Sequence, residues 1–95
     1  MTLVWTPTAL QQLSEIEQFI AQDNPLAALE FVTYLIDRAE TIRENPKMGR
    51  IVPELGEMDI REIIAKNYRI VSRLKGPEIQ ILTVFEGHHL LPDKL

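Results

Sequence analysis

The stretch A-Q-D-N-P-L-A-A-L, residues 21–29, decides the fold, because it ends one helical pattern and begins another. Asn24 is a preferred helix-capping residue, and Pro25 suits the first helical position, where its missing N–H costs no hydrogen bond. Thr6 and Pro7 form the same start signal upstream. After each signal, apolar residues recur at spacings of four and three: Ala9, Leu13, Ile16 and Ile20, then Ala28, Val32, Leu35, Ala39 and Ile42. Two such helices joined by a short link predict an antiparallel helical hairpin.

Beyond Pro46, which ends the second helical pattern, the sequence becomes typical of β-strands. Three short segments rich in β-branched residues are separated by turn signals, and they lie at 60–65, 68–74 and 79–85. They predict three consecutive antiparallel strands, and residues 3–5 predict a short opening strand. One core forms only if the hairpin covers one face of the sheet. We therefore expect a single domain over residues 1–95 with an α+β fold of order βααβββ, in which the hairpin packs on one face of a small antiparallel sheet.

Composition and charge narrow the class of protein. The 95 residues include no cysteine, which excludes disulfides and thiolate metal sites and fits a reducing cytoplasm. The N-terminus has no signal-peptide pattern, and no apolar run is long enough to cross a membrane. The net charge of −4 is segregated, with −5 on residues 1–46, +3 on residues 47–75 and −2 on residues 76–95. Such segregation often marks an interaction surface.

The segment N-Y-R-I-V-S-R, residues 67–73, indicates where that surface lies. Alternation along a strand places Arg69 and Arg73 on one face with Val71 between them, opposite the apolar side chains that suit the helices. Arg61 joins them if the strand register allows. We therefore expect a partly open sheet face that binds an anion or an acidic partner through Arg50, Arg61, Arg69 and Arg73. The alternative is that these arginines pair across strands with acids such as Glu62 and Glu86.

An ordered set of short motifs resembles a known family. The motifs are W-T-P-T-A at 5–9, N-P-L-A-A-L-E-F at 24–31, P-K-M-G-R-I-V-P-E at 46–54, R-E-I at 61–63, Y-R-I-V at 68–71 and I-L-T-V-F-E-G-H-H-L-L-P at 81–92. Each is weak alone, but together and in order they resemble the RelE/ParE superfamily of bacterial toxins. The resemblance implies a βααβββ fold and a toxin of a type II toxin–antitoxin pair. A cognate antitoxin, binding through an extended or helical protein segment, would neutralise it, and operator DNA would be contacted only through that antitoxin.

The resemblance implies two modes of action, because RelE-like toxins cleave messenger RNA on the ribosome and ParE-like toxins bind and block DNA gyrase. Cleavage by a 2′-hydroxyl needs a base, a cation and an acid around one phosphate. YoeB-like members carry such groups where this chain has Glu54 as base, Arg69 as phosphate clamp and His88 as acid. The alternatives are a solvated loop carboxylate at Glu54 and an ordinary exposed histidine at His88.

Two departures favour the ParE-like mode. Many relatives carry H-G-R-R near the end of the last strand, whereas residues 86–89 read E-G-H-H. RNA-cleaving relatives tend to be strongly basic, since phosphate charge dominates binding to the ribosome. We therefore expect a protein that inhibits gyrase by binding, with no cofactor and no metal, because the adjacent His88 and His89 point opposite ways on an extended segment. A non-toxic relative that only binds its antitoxin is a further alternative.

Overall fold

The helices begin at the residues that the sequence predicts. The computed structural model describes residues 1–87 and contains, in chain order, β1 (Thr2–Trp5), α1 (Pro7–Ala21), α2 (Pro25–Glu40), a 3₁₀ turn (Thr41–Arg43), β2 (Arg50–Ile51), β3 (Ile60–Ala65), β4 (Tyr68–Lys75) and β5 (Glu78–Glu86). The Thr6 hydroxyl accepts a hydrogen bond from the Ala9 amide at 3.2 Å, and the Asn24 side chain accepts one from the Ala27 amide at 3.0 Å. Both predicted caps are confirmed.

The strands form one sheet in the order β1-β5-β4-β3-β2. Strands β2 to β5 pair antiparallel in sequence, which confirms the predicted meander of the last three strands. The prediction of a wholly antiparallel sheet is wrong at β1, which pairs parallel to β5. Parallel neighbours need a long crossover connection, and the helical hairpin begins the path that brings the chain back to β5. The two-residue strand β2 is also absent from the predicted order.

The hairpin covers one face of the sheet. The predicted apolar stripes of both helices point inward, and Ala9, Leu35 and Ala39 are fully buried. They pack with apolar side chains of β3, β4 and β5, namely Ile63, Ala65, Ile70, Ile79, Ile81 and Val84. Near a register irregularity in β4 and β5, the Gln12 side chain accepts hydrogen bonds from the Thr83 hydroxyl and the Val84 amide at 2.9 and 2.8 Å. We call this side the helix-covered face, and the cluster of buried apolar side chains on it is larger than the cluster on the other side of the sheet.

The other face of the sheet is also covered, which corrects the expectation that it lies partly open. The segment 52–59 between β2 and β3 contributes Val52 to a second cluster of buried apolar side chains, which also contains Ile60, Val71, Leu82 and Phe85. Val52 accepts backbone hydrogen bonds from Leu55 at 3.1 Å and from Gly56 at 2.9 Å, so the segment starts with a tight turn. We call this side the turn-covered face. Val71, between the two strand arginines, belongs to this smaller core.

Candidate functional site

Four charged residues form a linked cluster on the turn-covered face, and we call it the Arg69 cluster. Its members are Arg50 on β2, Glu54 on the turn that follows, Glu62 on β3 and Arg69 on β4. Antiparallel register places Arg50 directly opposite Glu62, and Glu62 directly opposite Val71. Directly opposed residues share a face of the sheet, and alternate residues of a strand do likewise, so the strand pairing alone brings Arg50, Glu62 and Arg69 together.

Charges of opposite sign alternate through the cluster. Arg50 Nε donates to Glu62 Oε1 at 2.6 Å, and Arg69 Nε donates to Glu62 Oε2 at 2.5 Å. The other edge of Arg69 binds Glu54 bidentately, with Nη1 to Oε2 and Nη2 to Oε1 both at 3.0 Å. The guanidinium of Arg69 also lies over the Phe85 ring, with Cζ 4.9 Å from the ring centroid. Nε, Nη1 and Nη2 of Arg69 therefore all donate to glutamates of the chain itself.

Burial divides the cluster. The side chain of Glu62 is completely buried and that of Arg69 is 8% exposed, whereas those of Glu54 and Arg50 are 35% and 63% exposed. A carboxylate without solvent contact is costly unless it is paired, and Glu62 meets this condition with two guanidinium groups. The inner pair is thus Glu62 with Arg69, and the two outer members face solvent.

The hydrogen bonds within the cluster keep its outer carboxylate charged. Hydrogen bonds from Arg69 lower the pKa of Glu54, and burial of that carboxyl opposes the effect only in part. The same contact with Glu54 raises the pKa of Arg69, again against a smaller effect of burial. A general base works best with a pKa near the operating pH, so a Glu54 with a lowered pKa and a bidentate partner is poorly suited to that role.

The structure separates the four predicted arginines. Arg61 lies opposite Ser72 on the helix-covered face, and its guanidinium donates to the carbonyls of Met58 and Lys47 at 3.3 and 3.4 Å. Arg73 has longer ion pairs, to Asp59 at 3.5 Å and to Glu57 at 3.9 Å. The expectation of one free guanidinium surface is therefore corrected, because Arg50 and Arg69 are paired with acids, Arg73 has acidic neighbours and Arg61 points the other way. The alternative of pairing with Glu62 across strands is confirmed.

The predicted set Glu54, Arg69 and His88 is only partly visible. Glu54 and Arg69 are in direct contact, while His88 lies outside the described residues. Sequence reasoning missed the role of Glu62 as the buried centre of the cluster. A signal was present, since Glu62 alternates with Ile60 and Ile64 on β3 and so shares a face with two apolar residues.

A cleft of about 340 Å³ lies at the tip of the helical hairpin and is lined by Ile20, Ala27, Glu30, Phe31 and Lys66. The Lys66 ammonium lies 4.6 Å from the centroid of the Tyr34 ring.

Within residues 1–87, no group of three or more histidine, aspartate or glutamate side chains is placed to hold a metal ion. No helix in that range has the length and hydrophobicity needed to span a membrane.

The hairpin also carries apolar side chains on its outer surface. The most exposed are Phe19, Leu26, Leu29 and Leu10, with exposed fractions from 72% to 52%. Leu26, Leu29 and the partly exposed Ile36 follow helical spacing along one side of α2. Exposed apolar side chains grouped on one side of a helix mark interaction sites more often than isolated exposed residues do.

Comparison with known proteins assigns the family. A protein-family model described as "ParE toxin of type II toxin-antitoxin system, parDE" matches residues 3–90. The chain is 36% identical over 96 aligned positions to "Putative toxin Y4kP" of Sinorhizobium fredii. The alignment covers 96% of this chain and 93% of that protein. It is 36% identical over 62 positions to "Toxin RelE2" of Caulobacter vibrioides, in an alignment that covers 65% of this chain and 66% of that protein.

A solved structure has the same fold. The structure titled "Chromosomal ParDE TA system from P. aeruginosa" superposes with a TM-score of 0.75 and 27% sequence identity, covering 90% of this chain and 95% of that one. The family match covers α1, α2, β2 to β5, all but the first residue of β1, and the complete Arg69 cluster. The chain belongs to the ParE toxin family of type II toxin–antitoxin systems.

Proposed function

We propose that this toxin inhibits growth by binding and blocking DNA gyrase, without chemistry of its own, and that a cognate antitoxin neutralises it. The observation that carries the choice of mode is the closed contact between Glu54 and Arg69. RNA cleavage needs a free base and a free cation around one phosphate, whereas here the two candidate groups satisfy each other. A binding inhibitor transfers no proton, so it needs no general base, and a Glu54 carboxylate that Arg69 keeps charged is compatible with it.

The charge distribution supports the same choice. The chain carries a net charge of −4, and the Arg69 cluster contains two arginines and two glutamates, so it adds no net charge. Binding to ribosomal and messenger RNA depends on neutralising phosphates, and each phosphate contact needs an available cation. A protein target places no such demand on this surface. Action on gyrase would place the toxin in the cytoplasm.

We assign the antitoxin contact to the outer surface of the hairpin. The exposed side chains of Leu26 and Leu29 provide apolar area, and the two helices with their link carry six acids against Arg38 alone. An antitoxin segment that covers this surface would therefore present apolar side chains with basic ones at their margin. Such contact uses no arginine of the sheet and leaves the Arg69 cluster intact.

A supercoiling assay tests the proposed mode directly. Purified toxin added to gyrase and relaxed plasmid should reduce supercoiling in proportion to toxin concentration, and antitoxin added first should restore it. The control is His88→Ala, which should inhibit gyrase as well as the wild type does. Normal supercoiling at toxin concentrations that arrest growth would exclude gyrase as the target.

The second candidate is a ribosome-dependent mRNA endoribonuclease that uses Glu54, Arg69 and His88, with Arg50, Arg61 and Arg73 holding the RNA backbone. The similarity to the Caulobacter protein named Toxin RelE2 favours it. Under this mode, His88→Ala removes the leaving-group acid and should abolish transcript cleavage on programmed ribosomes while antitoxin affinity stays unchanged. Transcripts that remain intact with wild-type toxin would exclude it. Unimpaired growth on expression without antitoxin would instead support a relative that has lost toxicity.

A further inference from the structure

The two carboxylates bound to Arg69 differ in how firmly they are held. Glu62 lies on a central part of β3 and is completely buried, so it cannot leave without disrupting the sheet. Glu54 lies on the turn that begins at Val52, and about a third of its side chain reaches solvent. Rotation of the Glu54 side chain alone would release its carboxylate, because the backbone of the turn is held separately by hydrogen bonds to Val52. Glu54 is therefore the exchangeable ligand.

Departure of the Glu54 carboxylate would leave a prepared receptor. Arg69 would still be oriented by Glu62, whose Oε2 lies 2.5 Å from both Nε and Nη2, and by the Phe85 ring against its flat face. Only the side of Nη1 and Nη2 that faces Glu54 would be empty. Two parallel N–H groups at that edge match the two oxygens of a carboxylate, and Glu54 itself uses this geometry. Little side-chain freedom remains to be lost when a new carboxylate binds, since the arginine is already fixed.

The surroundings indicate a protein ligand. Ile64 lies directly across the strand pair from Arg69 and is 52% exposed, and Leu55, next to Glu54, is 38% exposed. Apolar side chains beside a single guanidinium suit an acidic residue flanked by apolar neighbours. A nucleic-acid backbone would instead need several cations for successive phosphates. The neutral cluster on an acidic chain does not meet that need.

We infer that the Nη edge of Arg69 is a binding site for an aspartate or glutamate side chain of a protein partner, and that Glu54 occupies this site in the free protein. The partner's carboxylate replaces one ion pair by an equivalent one, and its apolar neighbours gain contact with Ile64 and Leu55. The inference deepens the protein-binding mode proposed above and rests on it for the identity of the partner. The site itself can be examined without gyrase.

Chemical rescue tests the site. Glu54→Ala should leave the Nη edge vacant, and acetate should then bind there as a substitute for the lost carboxylate. The thermal midpoint of this variant should rise with acetate in a saturable manner, by roughly 7 °C at a tenfold excess over the dissociation constant, with chloride used to keep ionic strength constant. The wild type and Glu57→Ala, a control on the same segment, should show no saturable rise. Glu54→Ser, whose short side chain also leaves the Nη edge vacant, replaces the alanine variant if that variant does not fold.

Each outcome has a defined meaning. Loss of the acetate response in Glu54→Ala combined with Arg69→Lys would support the site, because lysine lacks the two-pronged edge. Equal acetate responses in wild type and Glu54→Ala would overturn it, as would a folded variant that gives no response. A response to phosphate but not to acetate would also overturn it and would point to nucleic acid. Failure of gyrase inhibition alongside a positive acetate response would reject the proposed function and leave the site in place.

Discussion

The two faces of the sheet are built on different principles. The helix-covered face is built mainly on apolar packing, with Leu35, Ile70 and Ile81 fully buried. The turn-covered face places a smaller apolar cluster beside a buried ion pair between Glu62 and Arg69. The first face can be assembled from any side chains of suitable size and polarity, whereas the second requires particular charged partners at particular positions. Both faces therefore contribute to stability, whereas pairing between particular charged residues is concentrated on the turn-covered face.

The largest expected effect falls on the turn-covered face. Glu62→Ala removes a carboxylate that accepts hydrogen bonds from two guanidinium groups, and it leaves the buried Arg69 with Glu54 as its remaining acidic partner. Breaking a buried pair by removing one partner costs about 4 kcal/mol, so the free energy of unfolding in urea should fall by that amount. Glu57→Ala, whose carboxylate is 55% exposed and 3.9 Å from Arg73, should change it by less than about 0.5 kcal/mol. Equal costs for the two variants would mean that the buried Glu62–Arg69 pair contributes no more to stability than an exposed ion pair on the same face.

A matched pair of isoleucines compares the apolar parts of the two faces. Ile70 belongs to the helix-covered core and Ile60 to the turn-covered cluster, and both are at most 1% exposed. Truncation of a buried isoleucine to alanine costs about 3 kcal/mol, and we expect similar losses in Ile70→Ala and Ile60→Ala by urea denaturation. A cost below about 1 kcal/mol for Ile60→Ala would mean that the segment 52–59 covers its face only loosely.

The helix-covered face could be predicted from the sequence because its signals are local. Caps at Thr6 and Asn24, followed by apolar residues at helical spacing, determine where each helix starts and which side it buries. The parallel pairing of β1 with β5 could not be predicted in this way, since it joins Leu3 to Ile79 across most of the chain. Local patterns carry no information on such distant neighbours.

The turn-covered face was predicted less well for the same reason. Alternation placed Arg69 and Val71 together, but whether that face is open depends on the path of the segment 52–59, which has no regular pattern. The available indication in the sequence was an apolar residue, Val71, between two arginines, and the structure shows this residue to be buried. The pairing of Arg50 with Glu62 depends on β2, a strand of two residues that is too short to show periodicity.

The smallest effect concerns the outer edge of the same cluster, and it appears as a dependence on pH. Hydrogen bonds from Arg69 lower the pKa of Glu54 in the folded state below the unfolded value of 4.5. A lowered folded-state pKa means that the stabilisation is fully present above pH 4.5 and is lost as the pH falls through the folded-state pKa. Because about a third of the Glu54 side chain is exposed, solvent screening limits this contribution to about 1 kcal/mol.

Glu54→Gln removes the titrating group while keeping its size, so the variant isolates that contribution. Its free energy of unfolding should be lower than that of the wild type by about 1 kcal/mol at pH 7, and the two should converge as the pH is lowered below the folded-state pKa of Glu54. Urea denaturation at a series of pH values from 7 downward measures the difference directly. The Glu62–Arg69 pair is present in both proteins, so convergence in acid assigns the difference to the exchangeable outer carboxylate. A difference that stays constant with pH would instead mean that glutamine disturbs the packing of the turn, and the outer edge would then be as rigid as the buried centre of the cluster.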